Sequence, residues 1–278
     1  MNKTKLLTGG LAAAGMLGTY AAAENTLMLR TAHYETDIPG LPRLVQLSDL
    51  HKRQFGMNQN RLIRRVTALK PDYIVITGDL ISRTMRDFTE TARLLRRLRA
   101  LAPVLTVYGN HELDLPPEAE TAFRDMLRRC SVCLLENEII RIGRAEIPVA
   151  GVPLTRLHYR GAGLLHLRGK KSCTAEELYH LLGRCPENTV LLAHNPLFFD
   201  AYAAWGARLT LSGHVHGGAV RLPGIGGLLS PERKFFPRYD RGLFRQGNSE
   251  MIVSAGLGKL RFLNPPEICL ITGKDSLL

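Results

Sequence analysis

Short apolar runs end abruptly at polar residues in five places along the chain. Each run is rich in aliphatic or β-branched residues, and the residues that follow it include Asp, His or Asn. Near-continuous apolar runs of this length are typical of strands that are covered on both faces of a sheet. The pattern therefore predicts five buried strands, at residues 44–47, 73–77, 104–108, 190–193 and 209–212.

Amphipathic helices are predicted between the early strands. Asn58 is placed to cap the first, in which apolar residues recur at helical spacing over residues 62–69. The second follows Phe88, and the third opens at Pro116 and Pro117. Toward the C-terminus, short strands are predicted at residues 219–222, 251–255 and 268–272. Alternating strands and helices indicate the α/β fold class, here with mixed β-sheets in one domain.

The N-terminal residues 1–23 are typical of a targeting or anchoring segment. Lys3 and Lys5 precede an uncharged run over residues 6–23. The alanines at 21–23 fit signal-peptide cleavage, but the run also fits a signal anchor that is not cleaved, which we favour. Lysines before the run place the rest of the chain outside the cytoplasm. We therefore predict one N-terminal anchor in the cell membrane with an extracytoplasmic domain, or a secreted protein if the segment is cleaved.

Composition narrows the class of protein. With 278 residues, 45% hydrophobic and 22% charged, the chain is neither disordered nor a disulfide-rich miniprotein. The five Cys are an odd number, which excludes a complete set of intramolecular disulfides. A formal net charge of +12 indicates an anionic partner, which could be nucleic acid, a membrane surface or a phosphate-bearing substrate.

The polar residues at the strand ends form a candidate metal-ligand set. In open α/β sheets, ligands bind at the carboxyl ends of the strands. Imidazole, carboxylate and amide ligands without thiolates suit divalent Mn, Fe or Zn. Seven side chains are more than one tetrahedral ion can use, whereas two ions about 3.5–4 Å apart, bridged by a carboxylate, would use all of them. The set comprises Asp49, His51, Asp79, Asn110, His194, His214 and His216.

Five motifs occur in a fixed order along the chain. They are Asp49-Leu50-His51, Gly78-Asp79, Gly109-Asn110-His111-Glu112, Ala193-His194-Asn195-Pro196 and Gly213-His214-Val215-His216-Gly217-Gly218. In this order they resemble the calcineurin-like metallophosphoesterase superfamily, and within it the YkuE/YaeI-type membrane-associated bacterial phosphoesterases. The resemblance implies a metallophosphoesterase domain over residues 43–273, preceded by a connecting segment and first strand region at 24–42. It also implies a four-layer α/β/β/α sandwich.

The same resemblance implies how the site is built. It assigns Asp49, His51 and His216 to one ion, Asn110, His194 and His214 to a second, and Asp79 to a bridge between them. A hydroxide between the ions would attack phosphorus, and His111 would act catalytically at the leaving-group oxygen.

Two positions depart from the family pattern. Ser82 stands where many members carry an Asp that orients the histidine corresponding to His111. Ala219 stands where similar members often have an amide side chain, so no substrate-binding residue is assigned.

Two stretches rich in basic residues indicate which kinds of partner the protein could bind. Residues 58–100 contain ten Lys or Arg against four Asp or Glu, which indicates a solvated helix face or, alternatively, contact with anionic lipid. Residues 156–171 mix basic and leucine residues and could form a loop or cap over the site, or an ordinary surface excursion. No nucleic-acid-binding motif is present, so we expect no nucleic-acid partner.

The sequence thus predicts a dinuclear metal-dependent phosphoesterase for a phosphorylated small molecule or a lipid-linked phosphate. UDP-2,3-diacylglucosamine is one candidate substrate, because some members of the family cleave its pyrophosphate. That activity requires a site facing the cytoplasm, which conflicts with the orientation that Lys3 and Lys5 predict. The alternatives are an extracytoplasmic broad-specificity phosphodiesterase and a non-catalytic membrane-associated binding protein. The intact ligand set favours an enzyme.

Overall fold

Two six-stranded β-sheets form the centre of the molecule. The computed structural model describes residues 16, 18–152, 154–159, 171–218, 220–222, 226–227, 236–259 and 261–274. The strands are β1 (Arg30–Thr36), β2 (Leu44–Leu47), β3 (Tyr73–Ile76), β4 (Val104–Thr106), β5 (Cys133–Leu134), β6 (Glu138–Ile142), β7 (Ile147–Gly151), β8 (Val190–Leu192), β9 (Leu209–Ser212), β10 (Arg221–Leu222), β11 (Gly226–Gly227), β12 (Gly242–Gln246), β13 (Ser249–Val253) and β14 (Glu267–Gly273). The helices are α1 (Asn60–Ala68), α2 (Thr89–Arg99), α3 (Asn110–Leu113), α4 (Pro117–Arg129), α5 (Arg156–Tyr159), α6 (Ala175–Leu182) and α7 (Phe199–Trp205).

Both sheets mix parallel and antiparallel pairs. The first has the order β1-β14-β2-β3-β4-β5, in which β2 to β5 are parallel and β14 runs antiparallel to β2. The second has the order β12-β13-β9-β8-β7-β6, with parallel central strands and antiparallel edge strands β12 and β6. The register pairs Leu47 with Ile76, and Ile76 with Thr106, so β2, β3 and β4 end side by side.

Alternating side chains of the strands fill separate cores. Leu44 of β2 points into the core between the two sheets, where it lies in one cluster with Val190 of β8. The next residue, Val45, belongs to the cluster that the first sheet forms with α1, α2 and α4. On the far side, Leu191 of β8 lies in the cluster that includes Tyr202 of α7. The layers are therefore helix, sheet, sheet and helix, which confirms the predicted α/β/β/α sandwich with mixed sheets.

The structure confirms the predicted strands at the site and changes two local expectations. Each of the five apolar runs contains a strand, β2, β3, β4, β8 or β9. The predicted cap of α1 is wrong: the helix starts at Asn60, and Asn58 lies in the preceding 3₁₀ turn with a left-handed φ of 52°. Strands β6, β7 and β12 were not predicted. The edge strands β6 and β12 are partly exposed and lack the continuous apolar pattern, whereas β7 is buried but contains Pro148 and Gly151, which are uncommon within strands.

Three sequence features lie partly outside the described residues. Of the predicted anchor over residues 1–23, only residue 16 and residues 18–23 are described, and residues 18–26 are helical. Within the described ranges, no helix has both the length and the apolar character needed to cross a bilayer. Ala219 lies outside the described residues. So does most of the stretch 156–171, for which a cap over the site was one interpretation.

Candidate metal centre

The candidate ligands lie in loops that directly follow central strands. Parallel strands that end side by side bring these loops to one edge of the sandwich. The loop after β2 carries Asp49 and His51, that after β3 carries Asp79, and β4 leads into Asn110; β8 is followed by His194, and β9 by His214 and His216.

Four of these side chains form one tight group. Asp49, His51, Asp79 and His216 each offer a ligand atom, and the four atoms all lie within 4.8 Å of one another. His216 Nε2 is 3.2 Å from Asp49 Oδ1 and 3.4 Å from His51 Nε2. Two carboxylates and two imidazole nitrogens around one point are a donor set for a divalent cation.

The other three candidate ligands, Asn110, His194 and His214, lie outside this tight group. His194 Nε2 is 3.4 Å from Asp79 Oδ2, and its ring centroid is 5.1 Å from that of His214. Asn110 Oδ1 and His194 Nε2 are buried without a hydrogen-bond partner among the described residues. Buried acceptors without partners cost about 1–3 kcal/mol each. A second cation would satisfy both atoms, with Asp79 between the two groups.

Backbone carbonyls fix which nitrogen of two imidazoles faces the site. His194 Nδ1 donates to the carbonyl of Thr77 over 2.6 Å, and His51 Nδ1 donates to that of Ile81 over 3.3 Å. With the proton on Nδ1, the lone pair of each Nε2 points toward the carboxylates. Metal-ligating histidines are generally oriented through such a hydrogen bond from the other ring nitrogen.

Five of the seven candidate ligands have left-handed backbone. Their φ angles lie between 51° and 70°, and each costs about 1–2 kcal/mol relative to ordinary conformations. The residues are Asp49, His51, Asp79, His214 and His216. Glycine allows the close packing of these turns, since a Cβ at Gly213 would collide with Ser48 Oγ and Asp49 Oδ2. Strain of this kind concentrates at functional sites.

The buried carboxylates of the site are ionised. Burial alone would raise the pKa of Asp79, yet the neighbouring His194, His111 and His51 hold it well below its usual range. The pKa of Asp49 is likewise lowered against the effect of burial, mainly by His216 and then by His194. Two negative charges in a largely buried site favour the binding of cations.

Glu112 joins the loops after β3 and β4. Its Oε2 accepts hydrogen bonds from the backbone N–H of Asp79 at 2.9 Å and of Gly109 at 2.8 Å, and its Oε1 accepts from Ile81 at 3.1 Å. Burial, and then the charge of Asp79, raise the pKa of Glu112 to about 7. The sequence included Glu112 in a motif without giving it a role, and its contacts show that it positions the candidate ligands.

Replacing Glu112 with Ala is expected to lower the unfolding free energy by about 3 kcal/mol or more and to weaken metal binding. Three buried N–H groups would lose their acceptor. Glu112→Gln keeps one oxygen, so its effect should be intermediate. Chemical denaturation and elemental analysis measure both quantities. Wild-type stability and metal content in Glu112→Ala would show that the carboxylate does not position the loops.

His111 was predicted as the catalytic residue, and it lies at the edge of the site. Its Nε2 is 3.9 Å from Asp79 Oδ2, and its ring centroid is 4.4 Å from that of His51. Its Nδ1 accepts a hydrogen bond from the backbone N–H of Arg83 at 3.2 Å. This amide orients the ring in a chain that has Ser82 in place of the usual Asp. Burial lowers the pKa of His111 to about 4, despite the opposing charge of Asp79.

The loop that carries His214 and His216 is held from behind by a C-terminal segment. Asn264 Nδ2 donates to the carbonyls of His216 at 2.6 Å and Gly218 at 2.7 Å. Arg261 Nη1 also donates to the carbonyl of His216, at 3.2 Å. The five motifs do not include Asn264, and its contacts show that its amide fixes the turn after His216.

Comparison with known proteins identifies the same region. The family model "Calcineurin-like phosphoesterase" matches residues 42–218. The metallophosphoesterase YkuE of Bacillus subtilis is 27% identical over 98% of this chain and 94% of its own. The phosphodiesterase YaeI of Escherichia coli is 27% identical, covering 82% of this chain and 81% of its own. The UDP-2,3-diacylglucosamine pyrophosphatase LpxG of Chlamydia muridarum is 26% identical over 82% of both chains.

Proposed function

Because this chain belongs to the calcineurin-like phosphoesterase family and is a metallophosphoesterase, we propose that it hydrolyses a phosphoester or pyrophosphate bond with two divalent cations. One observation carries the proposal. Asp79 belongs to a group of four ligand atoms within 4.8 Å of one another, and its Oδ2 is also 3.4 Å from His194 Nε2, one of two buried acceptors without partners among the described residues. Mn, Fe and Zn all fit these oxygen and nitrogen donors.

We assign the ligands to the two ions as the family resemblance implies. Asp49, His51 and His216 would hold one ion, and Asp79 would contact both. Asn110, His194 and His214 would hold the second ion. When bound, the cations would supply Lewis acidity toward a phosphoryl oxygen and a water of lowered pKa.

His111 acts on the leaving group in this proposal. Since Nδ1 accepts the Arg83 N–H, the proton of the neutral ring is on Nε2, which faces the site. A neutral N–H donor at this position stabilises the negative charge that develops on the departing oxygen. The backbone N–H of His111 also donates to Asp79 Oδ1 at 2.8 Å, which ties the two residues together.

For the substrate, we propose a lipid-linked phosphate. Similarity to LpxG, named for UDP-2,3-diacylglucosamine, supports this class. The helical residues 18–26 also lie beside the site: Asn25 Nδ2 donates to the carbonyl of Arg261 at 2.7 Å, and Arg261 in turn contacts the carbonyl of His216. A membrane anchor that continues from this helix would bring the site close to the bilayer surface. Similarity to YaeI supports a broad-specificity phosphodiesterase as the second candidate.

Cation dependence tests the reaction. We expect the purified chain, freed of metal with a chelator, to hydrolyse bis(p-nitrophenyl) phosphate only after Mn²⁺ is added back. Each cation that binds only the folded state also raises stability, by about 2.7 kcal/mol at a concentration one hundred times its dissociation constant. The melting temperature should therefore rise together with turnover. Equal rates in chelator and in Mn²⁺ would overturn the proposal.

A second arm of the assay separates the substrate classes. The same preparation is given UDP-2,3-diacylglucosamine in detergent micelles, and kcat/KM is compared with that for the chromogenic diester. A much higher value for the lipid supports a lipid-linked substrate. A higher value for the soluble diester supports the phosphodiesterase candidate instead.

A further inference from the structure

Tyr159 lies against the candidate ligands of the second ion, although no motif identifies it. Its ring centroid is 5.1 Å from that of His214 and 6.1 Å from that of His194. The side chain is buried, at 8% exposure. Burial, and then the charges of Tyr202, Asp79, Glu112 and Asp49, raise the pKa of its hydroxyl well above the usual range. Tyr159 therefore lies where the hydrophobic cluster beside the second sheet meets the candidate ligands.

The hydroxyl of Tyr159 has no hydrogen-bond partner among the described residues. It shares this property with Asn110 Oδ1 and His194 Nε2. Those two atoms are acceptors, and cations would satisfy them. A phenol O–H is a donor, and a cation cannot satisfy a donor. An atom with a lone pair would complete Tyr159. Because its ring lies against His194 and His214, an oxygen of an anion bound at the metal centre is in a position to provide one.

Helix α5 is held in place by its other side chains, so Tyr159 is pre-positioned. Arg156 Nη2 donates to the carbonyl of Leu115 at 3.1 Å, just beyond α3. His158 Nδ1 accepts from the N–H of Thr155 at 2.9 Å, and the His158 ring packs on Phe198 with centroids 5.6 Å apart. The contacts with Leu115 and Phe198 tie α5 to the segment after α3 and to the turn before α7. A donor held in this way loses little entropy when it binds a ligand.

We infer that Tyr159 is a substrate-contacting residue whose hydroxyl donates a hydrogen bond to a non-bridging phosphoryl oxygen beside His194 and His214. This inference rests on the proposed phosphoesterase function and adds to it a protein donor for the phosphoryl group. The ligand class is a tetrahedral phosphate oxyanion, whether it belongs to an ester or to free orthophosphate. Hydrogen bonds to charged acceptors are roughly twice as strong as neutral ones.

Orthophosphate binding to the Mn²⁺-loaded full-length protein tests the inference directly. Titration calorimetry on Tyr159→Phe should show affinity lowered about tenfold, which corresponds to the loss of one charge-assisted hydrogen bond. Metal content by elemental analysis should equal that of the wild type, because the phenylalanine ring keeps the contact with both histidines. A thermal melt shows whether the variant is folded.

Tyr239→Phe is the matched control. Tyr239 is also buried, at 5% exposure, and belongs to the same hydrophobic cluster, but its ring packs on Phe199 and Phe244. Its phosphate affinity should equal that of the wild type. Unchanged affinity in Tyr159→Phe, with or without a fall in stability, would overturn the inference and assign the hydroxyl to a structural partner.

Two results distinguish failure of the inference from failure of the proposed function. If the wild type turns over the diester while Tyr159→Phe binds orthophosphate normally, only the inference fails. If the wild type hydrolyses no phosphoester, the proposed function fails, and the calorimetric comparison still decides whether Tyr159 contacts a phosphate oxyanion. A metal-loaded wild type that binds no orthophosphate overturns the inference as well.

Discussion

Asp79→Asn is expected to lower kcat by about 10³-fold or more and to reduce the bound metal. Asp79 Oδ2 is 3.4 Å from His194 Nε2 and 4.0 Å from His51 Nε2, so it can reach both donor groups, and it is closer to His194 than Asp49 Oδ1 is, at 3.9 Å. Asparagine has the same shape as aspartate, and its Oδ1 can still accept the hydrogen bond from the backbone N–H of His111. It removes the negative charge and replaces the second oxygen with an N–H₂ group, which repels a cation.

Elemental analysis and kcat on the same Asp79→Asn preparation measure this effect. Asp125→Asn is the control, since Asp125 is a partly exposed carboxylate on α4 that pairs with the neighbouring Arg128, its one ion pair among the described residues. That change should leave both metal content and kcat unaltered. If Asp79→Asn retained two ions and wild-type turnover, Asp79 could not be the bridging ligand, and the division into two ion sites would have to be abandoned.

The position of the ligands could be predicted from the sequence because the strands that precede them are short and apolar on both faces. The apolar strand before Asp79 would expose its side chains to water if it extended beyond the sheet. The first polar residues therefore mark the end of the strand. The parallel register of β2, β3 and β4 then brings these ends together. Strand order depends on long-range pairing, which the pattern does not contain; the family resemblance implied the layers of the sandwich but not the order of its strands.

Other parts of the site depend on contacts that a sequence pattern does not contain. The left-handed backbone at Asp49 and Asp79 is unusual for residues other than glycine, and no local signal predicts it. The amide of Arg83 orients His111 through the backbone, so its side chain carries no information about that role. Tyr159 lies within residues 156–171, a stretch that was interpreted only by its composition. In each case the relevant neighbour is distant in sequence and is brought close by the loops.

His111→Ala is expected to lower turnover by an amount that depends on the leaving group. For an alkyl phosphodiester, the loss should be about 10²–10³-fold, in the range of general acid or hydrogen-bond assistance. For a nitrophenyl diester, whose leaving anion is already stable, we expect a loss of only about tenfold, because little charge on that oxygen needs the donor.

The metal content of His111→Ala distinguishes a loss of leaving-group assistance from general damage to the metal centre. The link between this residue and Asp79 uses the His111 backbone N–H at 2.8 Å, which alanine retains. Metal content should therefore stay at the wild-type level, in contrast to Asp79→Asn. Equal losses for the alkyl and nitrophenyl diesters would contradict a role at the leaving group. They would instead place His111 on the attacking side of phosphorus or in general positioning of the substrate, since only a contact with the departing oxygen makes the loss depend on its basicity.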